Sequence, residues 1–204
     1  MVTAPRIRNH RAEVGGLWEE IGRLQFNFMV QRGLMPHHYF LDIGCGSLRG
    51  GVHFIPYLDR GRYFGIDRQK GLIGAGLRHE LDAAIALAKQ PRFIHSAMFE
   101  FDRFCTRFDF ALAQSVFTHL APDQIGLCLR NLLQVMNPAG SLYATFFRVD
   151  QSEPHVQTDD VHAVHRYTRK EMFDLAQYED WERPTYIGAW NHPRKQVMMR
   201  YQPV

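Results

Sequence analysis

Two acidic residues and a cluster of glycines between them set out the chemistry this chain can do. Asp42 sits in an apolar run, Phe40-Leu41-Asp42-Ile43, and Gly44-Cys45-Gly46-Ser47-Leu48-Arg49-Gly50-Gly51 follows at once. A strand, a glycine turn and a helix in that order let backbone N–H groups close up to a ligand. The spacing narrows the ligand. A dinucleotide fingerprint would need glycine at 49, where Arg49 stands, so a nicotinamide nucleotide fits least well. Asp67 comes 25 residues after Asp42 and closes a second apolar run, Arg62 to Asp67. A carboxylate there either holds ribose hydroxyls by charge-assisted hydrogen bonds or caps the helix that follows. For proton transfer near neutral pH the natural group is histidine. Eleven are present, and His119 and His192 fall in turns next to strands. For either one, the alternative to a general base is a turn histidine with a satisfied backbone bond.

The hydrophobic pattern supplies the elements that must position these residues. Residues 1–13 are polar and basic and read as frayed. Leu17, Ile21, Leu24, Phe28 and Val30 recur at helical spacing, predicting a helix from Val14 to Gly33. His38 to Ile43 reads as the first strand and Arg62 to Asp67 as the second, with a short helix from about Val52 to Leu58 between them. A helix from Gly71 to Lys89 and a short strand from Arg92 to His95 come next. Phe108 to Ser115 is the fourth strand, and Pro122 opens a helix that runs to about Met136. Asn137-Pro138-Ala139-Gly140 reads as a turn and Ser141 to Phe147 as the fifth strand. Thr168 with Glu171 forms a capping box for a helix to about Tyr178. Pro184 to Trp190 and Gln196 to Tyr201 read as two strands joined by a turn at Asn191–Lys195. This alternation predicts an α/β fold with an open, mainly parallel sheet. In such sheets ligands bind outside the carboxyl ends of the strands. That rule puts Gly44–Gly50, Asp67, Ala97–Phe99, Ser115–His119, the 148–166 loop and His192 on one rim.

Size and charge remove several classes. At 204 residues the chain fits one ordinary domain. No segment is long and apolar enough to span a membrane, and Arg6, Arg8, His10 and Arg11 interrupt any leader-like start. Three cysteines, odd in number and far apart, suggest neither a disulfide framework nor a zinc site, which makes a cytoplasmic setting the expectation. With 24 basic and 21 acidic residues the charge is too balanced to argue for nucleic acid. His155, Asp159, Asp160, His162 and His165 share one stretch without fixed ligand spacing. A solvated lid explains them better than a metal site, so no metal is expected.

The Asp42–Gly51 segment resembles motif I of the class I S-adenosylmethionine (SAM) dependent methyltransferases. Gln114-Ser115-Val116-Phe117-Thr118-His119 looks like the segment after their fourth strand, and Leu133 to Gly140 like their turn into the fifth. Trp18…Gly22…Gln25, taken with Trp190-x-His192-Pro193-Arg194-x-Gln196, is similar to a bacterial subgroup of unassigned substrate. The resemblance implies a Rossmann-like methyltransferase fold of seven strands with the last antiparallel. It divides the chain into an N-terminal arm and helix (1–34) that packs on or covers the site, and a SAM-binding domain (35–204). It implies that Gly44, Cys45 and Gly46 meet the methionine and ribose part, that Asp42 takes the amino group, and that Asp67 takes the ribose. Arg49 either pairs with the SAM carboxylate or caps a helix end. Met98 stands where an acid would usually meet the adenine, leaving that base to the Phe99 backbone and apolar packing. Gln114 and Ser115 line the methionine side. Trp18, Tyr167 and Trp190 either wall the acceptor or pack the core. The activity implied is methyl transfer to a small molecule, at a hydroxyl oxygen, with His119 or His192 as base. Transfer to a small amine and a non-catalytic SAM-binding subunit are the alternatives. The acceptor and the oligomeric state are not legible.

Overall fold

A computed structural model describes residues 9–156, 163–179, 181–182 and 184–203. The chain divides into two units, Met1–Ala97 and Met98–Val204.

The first unit carries helices α1 (His10–Glu13), α2 (Trp18–Gln31), α3 (Gly51–Tyr57), α4 (Lys70–His79) and α5 (Ala83–Lys89). Its strands are β1 (Phe40–Ile43), β2 (Tyr63–Asp67) and β3 (Arg92–His95), all parallel, with β2 in the middle. Every residue of β1 and β2 is buried, as strands covered on both faces must be. Helix α2 buries Ile21, Phe28 and Met29 and lays Gly22 against the glycine turn. A β-carbon at 22 would stand 2.6 Å from the Arg49 carbonyl oxygen.

Two expectations are corrected here. Of the segment 1–13 expected to be frayed, residues 1–8 lie outside the described residues and His10–Glu13 form an ordered turn of helix, because Glu80 binds both His10 and Arg11. The helix expected from Gly71 to Lys89 is two helices. Glu80 N–H and Leu81 N–H both donate to Gly76 O, which ends α4. The Asp82 carboxylate then accepts from Ala84 and Ile85 N–H at 2.8 and 3.1 Å and starts α5 anew.

The second unit carries β4 (Phe108–Ala113), α6 (Pro122–Leu133), β5 (Met136–Arg148), β6 (Arg166–Tyr167), α7 (Arg169–Tyr178), β7 (Thr185–Ala189) and β8 (Val197–Tyr201). Strands β4 and β5 are parallel, and β8 runs antiparallel to both β5 and β7. The capping box at Thr168 and Glu171 forms as expected. The turn expected at Asn137–Gly140 is instead a bulge inside β5, opposite Phe108–Phe110, with Asn137 Nδ2 donating to Asp109 Oδ1 at 2.6 Å. Strand β6 makes eight strands rather than seven among the described residues. It pairs with the end of β5 and anchors the chain on leaving the long loop.

Candidate functional site

In the first unit, the turn after β1 is shaped by its glycines and fixed by two carboxylates. Gly44 and Gly46 have φ of 69° and 53°, in the left-handed region that a side chain disfavours. Gly46 N–H donates to Asp67 Oδ2 at 2.8 Å, and Gln69 N–H donates to Asp67 Oδ1 at 2.7 Å. Asp67 thus ties the glycine turn to the end of β2 and satisfies the N–H of Gln69, the residue that precedes α4. Each oxygen keeps a further lone pair for a ligand hydroxyl. Burial raises the Asp67 carboxyl above its ordinary pKa, and the two backbone N–H bonds partly oppose the shift.

Asp42 is buried beneath the same turn, where Tyr63 Oη donates to its Oδ2 at 2.6 Å. Burial pushes this carboxyl up to about 7. The Tyr63 bond and the Arg49 charge pull against that, and the Asp67 charge adds to it. Two buried carboxylates whose pKa values are both raised form a place that gains from a cation. Cys45 lies within the turn, buried, with its thiol pushed well up by burial and by both acids, so it packs as a small apolar group. Arg49 is buried and uses Nη1 to hold the carbonyls of Val14 and Gly16, at 2.7 and 2.9 Å. Trp18 opens α2, buried, with the Arg11 guanidinium 4.8 Å over its ring.

In the second unit, Ser115 follows β4 with φ of 59°. Its N–H donates to Thr145 Oγ1 at 2.7 Å, and its Oγ accepts from Gln196 Nε2 at 2.7 Å. Thr145 Oγ1 donates to Gln196 Oε1 at 2.8 Å. The Gln114 amide lies 2.8 Å from Ser115 Oγ and 3.1 Å from His192 Nε2. Arg194 N–H donates to His192 Nδ1 at 3.2 Å. A backbone N–H cannot reverse its sense, so Nδ1 is the acceptor and the neutral ring carries its proton on Nε2. His192 is buried, stacks on Trp190 at 5.3 Å and has both ring nitrogens engaged.

His119 has the opposite tautomer. It is half-buried at the end of a 3-10 turn (Phe117–His119), and its Nδ1 meets the Ala163 carbonyl at 2.7 Å. A carbonyl only accepts, so the neutral ring keeps its proton on Nδ1 and its lone pair on Nε2. Tyr167 is fully buried, donates to the Leu120 carbonyl and stacks on His155 at 4.3 Å. Phe99 has φ of 53°, and Asn131 of α6 donates to the carbonyls of Met98 and Phe99, both at 3.2 Å. The Met98 side chain is 59% exposed, which leaves it open to a flat ligand.

The solvated-lid reading of 148–166 is revised for part of its length. His165 is buried and His155 is packed on Tyr167 and bonded to Glu171, whose carboxyl its hydrogen bonds lower to about 2 against the opposing effect of burial. Asp159, Asp160 and His162 lie outside the described residues. Among the described residues no group of three or more His, Cys, Asp or Glu side chains can hold a metal, and no helix is long and apolar enough to cross a membrane.

Residues 41–142 match the family described as a methyltransferase domain. The chain belongs to that family. Its members use SAM as methyl donor, as the resemblance implied. Solved structures agree on the fold. The magnesium protoporphyrin IX methyltransferase of Synechocystis PCC 6803 with bound SAM aligns over 98% of this chain and 86% of its own, at 12% identity and a TM-score of 0.66. The glycopeptide N-methyltransferase MtfA with SAM aligns over 90% of this chain and 94% of its own, at 12% identity and a TM-score of 0.67. The pyocyanin biosynthetic protein PhzM aligns over 91% and 56%, at 20% identity and 0.64. The Rossmann-like methyltransferase fold of this chain, parallel strands followed by an antiparallel C-terminal pair, is the fold they share.

Sequence reasoning missed Tyr63 as the partner of Asp42, Glu80 as the anchor of the N-terminal segment, and Asn131 and Thr145 as supports. None belongs to a motif. Only Gln196 stood within a quoted pattern, and its spacing from His192 was the available signal.

Proposed function

We propose that this methyltransferase acts on a hydroxyl oxygen of a small molecule, with His119 as general base. The observation that carries this reading is the His119 Nδ1 bond to Ala163. It orients the ring and leaves Nε2 as a proton acceptor. His192, with both ring nitrogens engaged, serves as a positioning residue for Gln114.

The cofactor fits the residues present. Gly44, Cys45 and Gly46 offer backbone without bulk, and Asp42 is a buried acid that gains from an ammonium. Asp67 keeps lone pairs for ribose hydroxyls. Met98 and Phe99 take the adenine, while Gln114 and Ser115 take the methionine side. Arg49 supports the site by holding Val14 and Gly16. Bound SAM supplies an electrophilic methyl on a sulfonium sulfur. His119 Nε2 would accept the acceptor's hydroxyl proton, with S-adenosylhomocysteine (SAH) as the product left in the site. Trp190 is the acceptor-side aromatic, Trp18 belongs to the arm that covers the cofactor, and Tyr167, fully buried with its hydroxyl on the Leu120 carbonyl, packs the core instead.

A small amine is the second reading. It is favoured by the likeness to a protein named an N-methyltransferase, and it would require no strong base.

Calorimetric titration with SAM and SAH tests the cofactor. Saturable binding of both, lost in Asp67→Ala, is expected. An acceptor screen that follows SAH release then tests the base. His119→Ala should lower kcat by about 10²–10⁴ and leave the SAM Kd within about twofold. Full turnover in His119→Ala would favour the amine.

A further inference from the structure

In the first unit, residues 9–17 lie across the glycine turn and are held there at three separate points. The first is contact with the turn. A β-carbon on Gly46 would stand 2.7 Å from Val14 Cγ1, so Val14 rests directly on that glycine. The second is a set of polar bonds from the turn to the segment. Ser47 Oγ donates to the His10 carbonyl at 3.1 Å, and Arg49 Nη1 donates to the carbonyls of Val14 and Gly16. The third is Glu80, just past α4. Its carboxylate accepts from Arg11 Nε and Nη2 at 2.7 and 2.6 Å, and His10 Nε2 lies 2.6 Å from Oε1. The last of the Arg49 bonds falls just before the start of α2, within backbone that can act as a hinge. Gly15, Gly16 and Leu17 have φ of 87°, 63° and 47°, and α2 starts immediately after. Two glycines allow large dihedral changes at little cost.

We propose that residues 9–17 form a strap, hinged at Gly15–Leu17 and latched to Glu80, that must lift for the cofactor to enter or leave the glycine turn. The proposal rests on the reading of that turn as the SAM site. The polar bonds divide the labour. The Arg49 and Ser47 bonds set where the strap lies. The Arg11–Glu80 fork, with Arg11 half exposed and Glu80 just past α4, sets how long it stays down. The arrangement also explains why an arginine occupies position 49 inside a glycine motif. Its side chain is the tether that joins motif to strap, and Val14 can seat only on a residue without a β-carbon.

The test is stopped-flow tryptophan fluorescence of SAM binding to the wild-type chain, Glu80→Gln and Arg11→Gln, with brief trypsin digestion followed by mass spectrometry. Neither substitution touches the turn. Both variants should raise the SAM association and dissociation rate constants by about five- to tenfold, with Kd moving less than about threefold. Cleavage after Arg11 should be faster in Glu80→Gln than in the wild type without cofactor, and SAM should slow it in the wild type. An association rate unchanged or lower in both variants, with wild-type binding intact, overturns the strap alone. Absence of SAM binding by the wild type overturns the cofactor site and the strap together.

Discussion

At the scale of single residues, Asp42 is the group whose charge the fold resists and the ligand rewards. Its carboxyl has an ordinary pKa near 4 when unfolded and one pushed up to about 7 in the folded chain, chiefly by burial. Between these values the native state binds more protons than the unfolded state, so stability falls as pH rises through the window. Asp42→Asn removes that penalty while keeping an oxygen for the Tyr63 hydroxyl. The variant should match the wild type below about pH 4 and exceed it by about 2–4 kcal/mol above about pH 7. Thermal melts across that range check this, and a gap that does not grow with pH would count against it. The ligand reverses the balance. An ammonium beside Asp42 favours the carboxylate, so SAM binding near pH 6.5 should release protons. Calorimetry in two buffers of different ionisation enthalpy reads that release, and Asp42→Asn should abolish it together with most of the affinity. The sequence exposed Asp42, Asp67 and the glycines because their types and spacing are themselves the signal. It hid Tyr63, Glu80 and Asn131, whose importance comes only from what the fold brings next to them.

At the scale of elements, helix α4 shows how one glycine can be fixed by packing while its neighbour is not. A β-carbon on Gly76 would lie 2.6 Å from the Ser47 carbonyl oxygen and 2.7 Å from Leu48 Cγ, backbone and core that cannot yield. A β-carbon on Gly74 would meet only the far end of Arg78, at 3.1 Å. Alanine is worth about 1 kcal/mol over glycine inside a helix. Gly74→Ala should therefore stabilise by up to that amount. In Gly76→Ala the clash exceeds the helix gain, and the helix must move off the glycine turn at a net cost of about 1–3 kcal/mol. At about 2–4 °C per kcal/mol for a chain of this size, the two variants should shift Tm in opposite directions. A rise for Gly76→Ala would mean α4 is not seated on the turn. The elements most legible in the sequence were those with an apolar period and a local cap, such as α7 with its Thr168–Glu171 box. The misread ones depended on single hydrogen bonds. The split between α4 and α5 rests on Asp82, and the bulge in β5 on Asn137 and Asp109. The ordered N-terminal turn rests on an anchor 69 residues away.

At the scale of the whole molecule, the βαβ alternation read from the sequence carried the fold class, because burying a parallel sheet on both faces constrains every segment at once. The short β6 was not legible, since two residues have no period. The three thiols provide a way to see the molecule open without adding a probe. Cys105 is exposed, whereas Cys45 in the first unit and Cys128 in the second are buried with raised pKa values. A thiol reagent at neutral pH attacks the thiolate, so Cys105 should react at once and the other two only through opening. A ligand that binds the closed form alone lowers the open fraction by the factor 1 + [L]/Kd. SAM at a hundred times its Kd should therefore slow Cys45 labelling about a hundredfold, as read residue by residue by mass spectrometry. Cys105 labelling should not change. In Glu80→Gln without SAM, Cys45 labelling should accelerate and Cys128 labelling should not, since the latch acts on the glycine turn alone. Prompt labelling of Cys45 in the wild type would mean that the turn holding Gly44 and Gly46 is open before any ligand arrives, and that neither the strap nor the buried acids beneath it shield it from solvent.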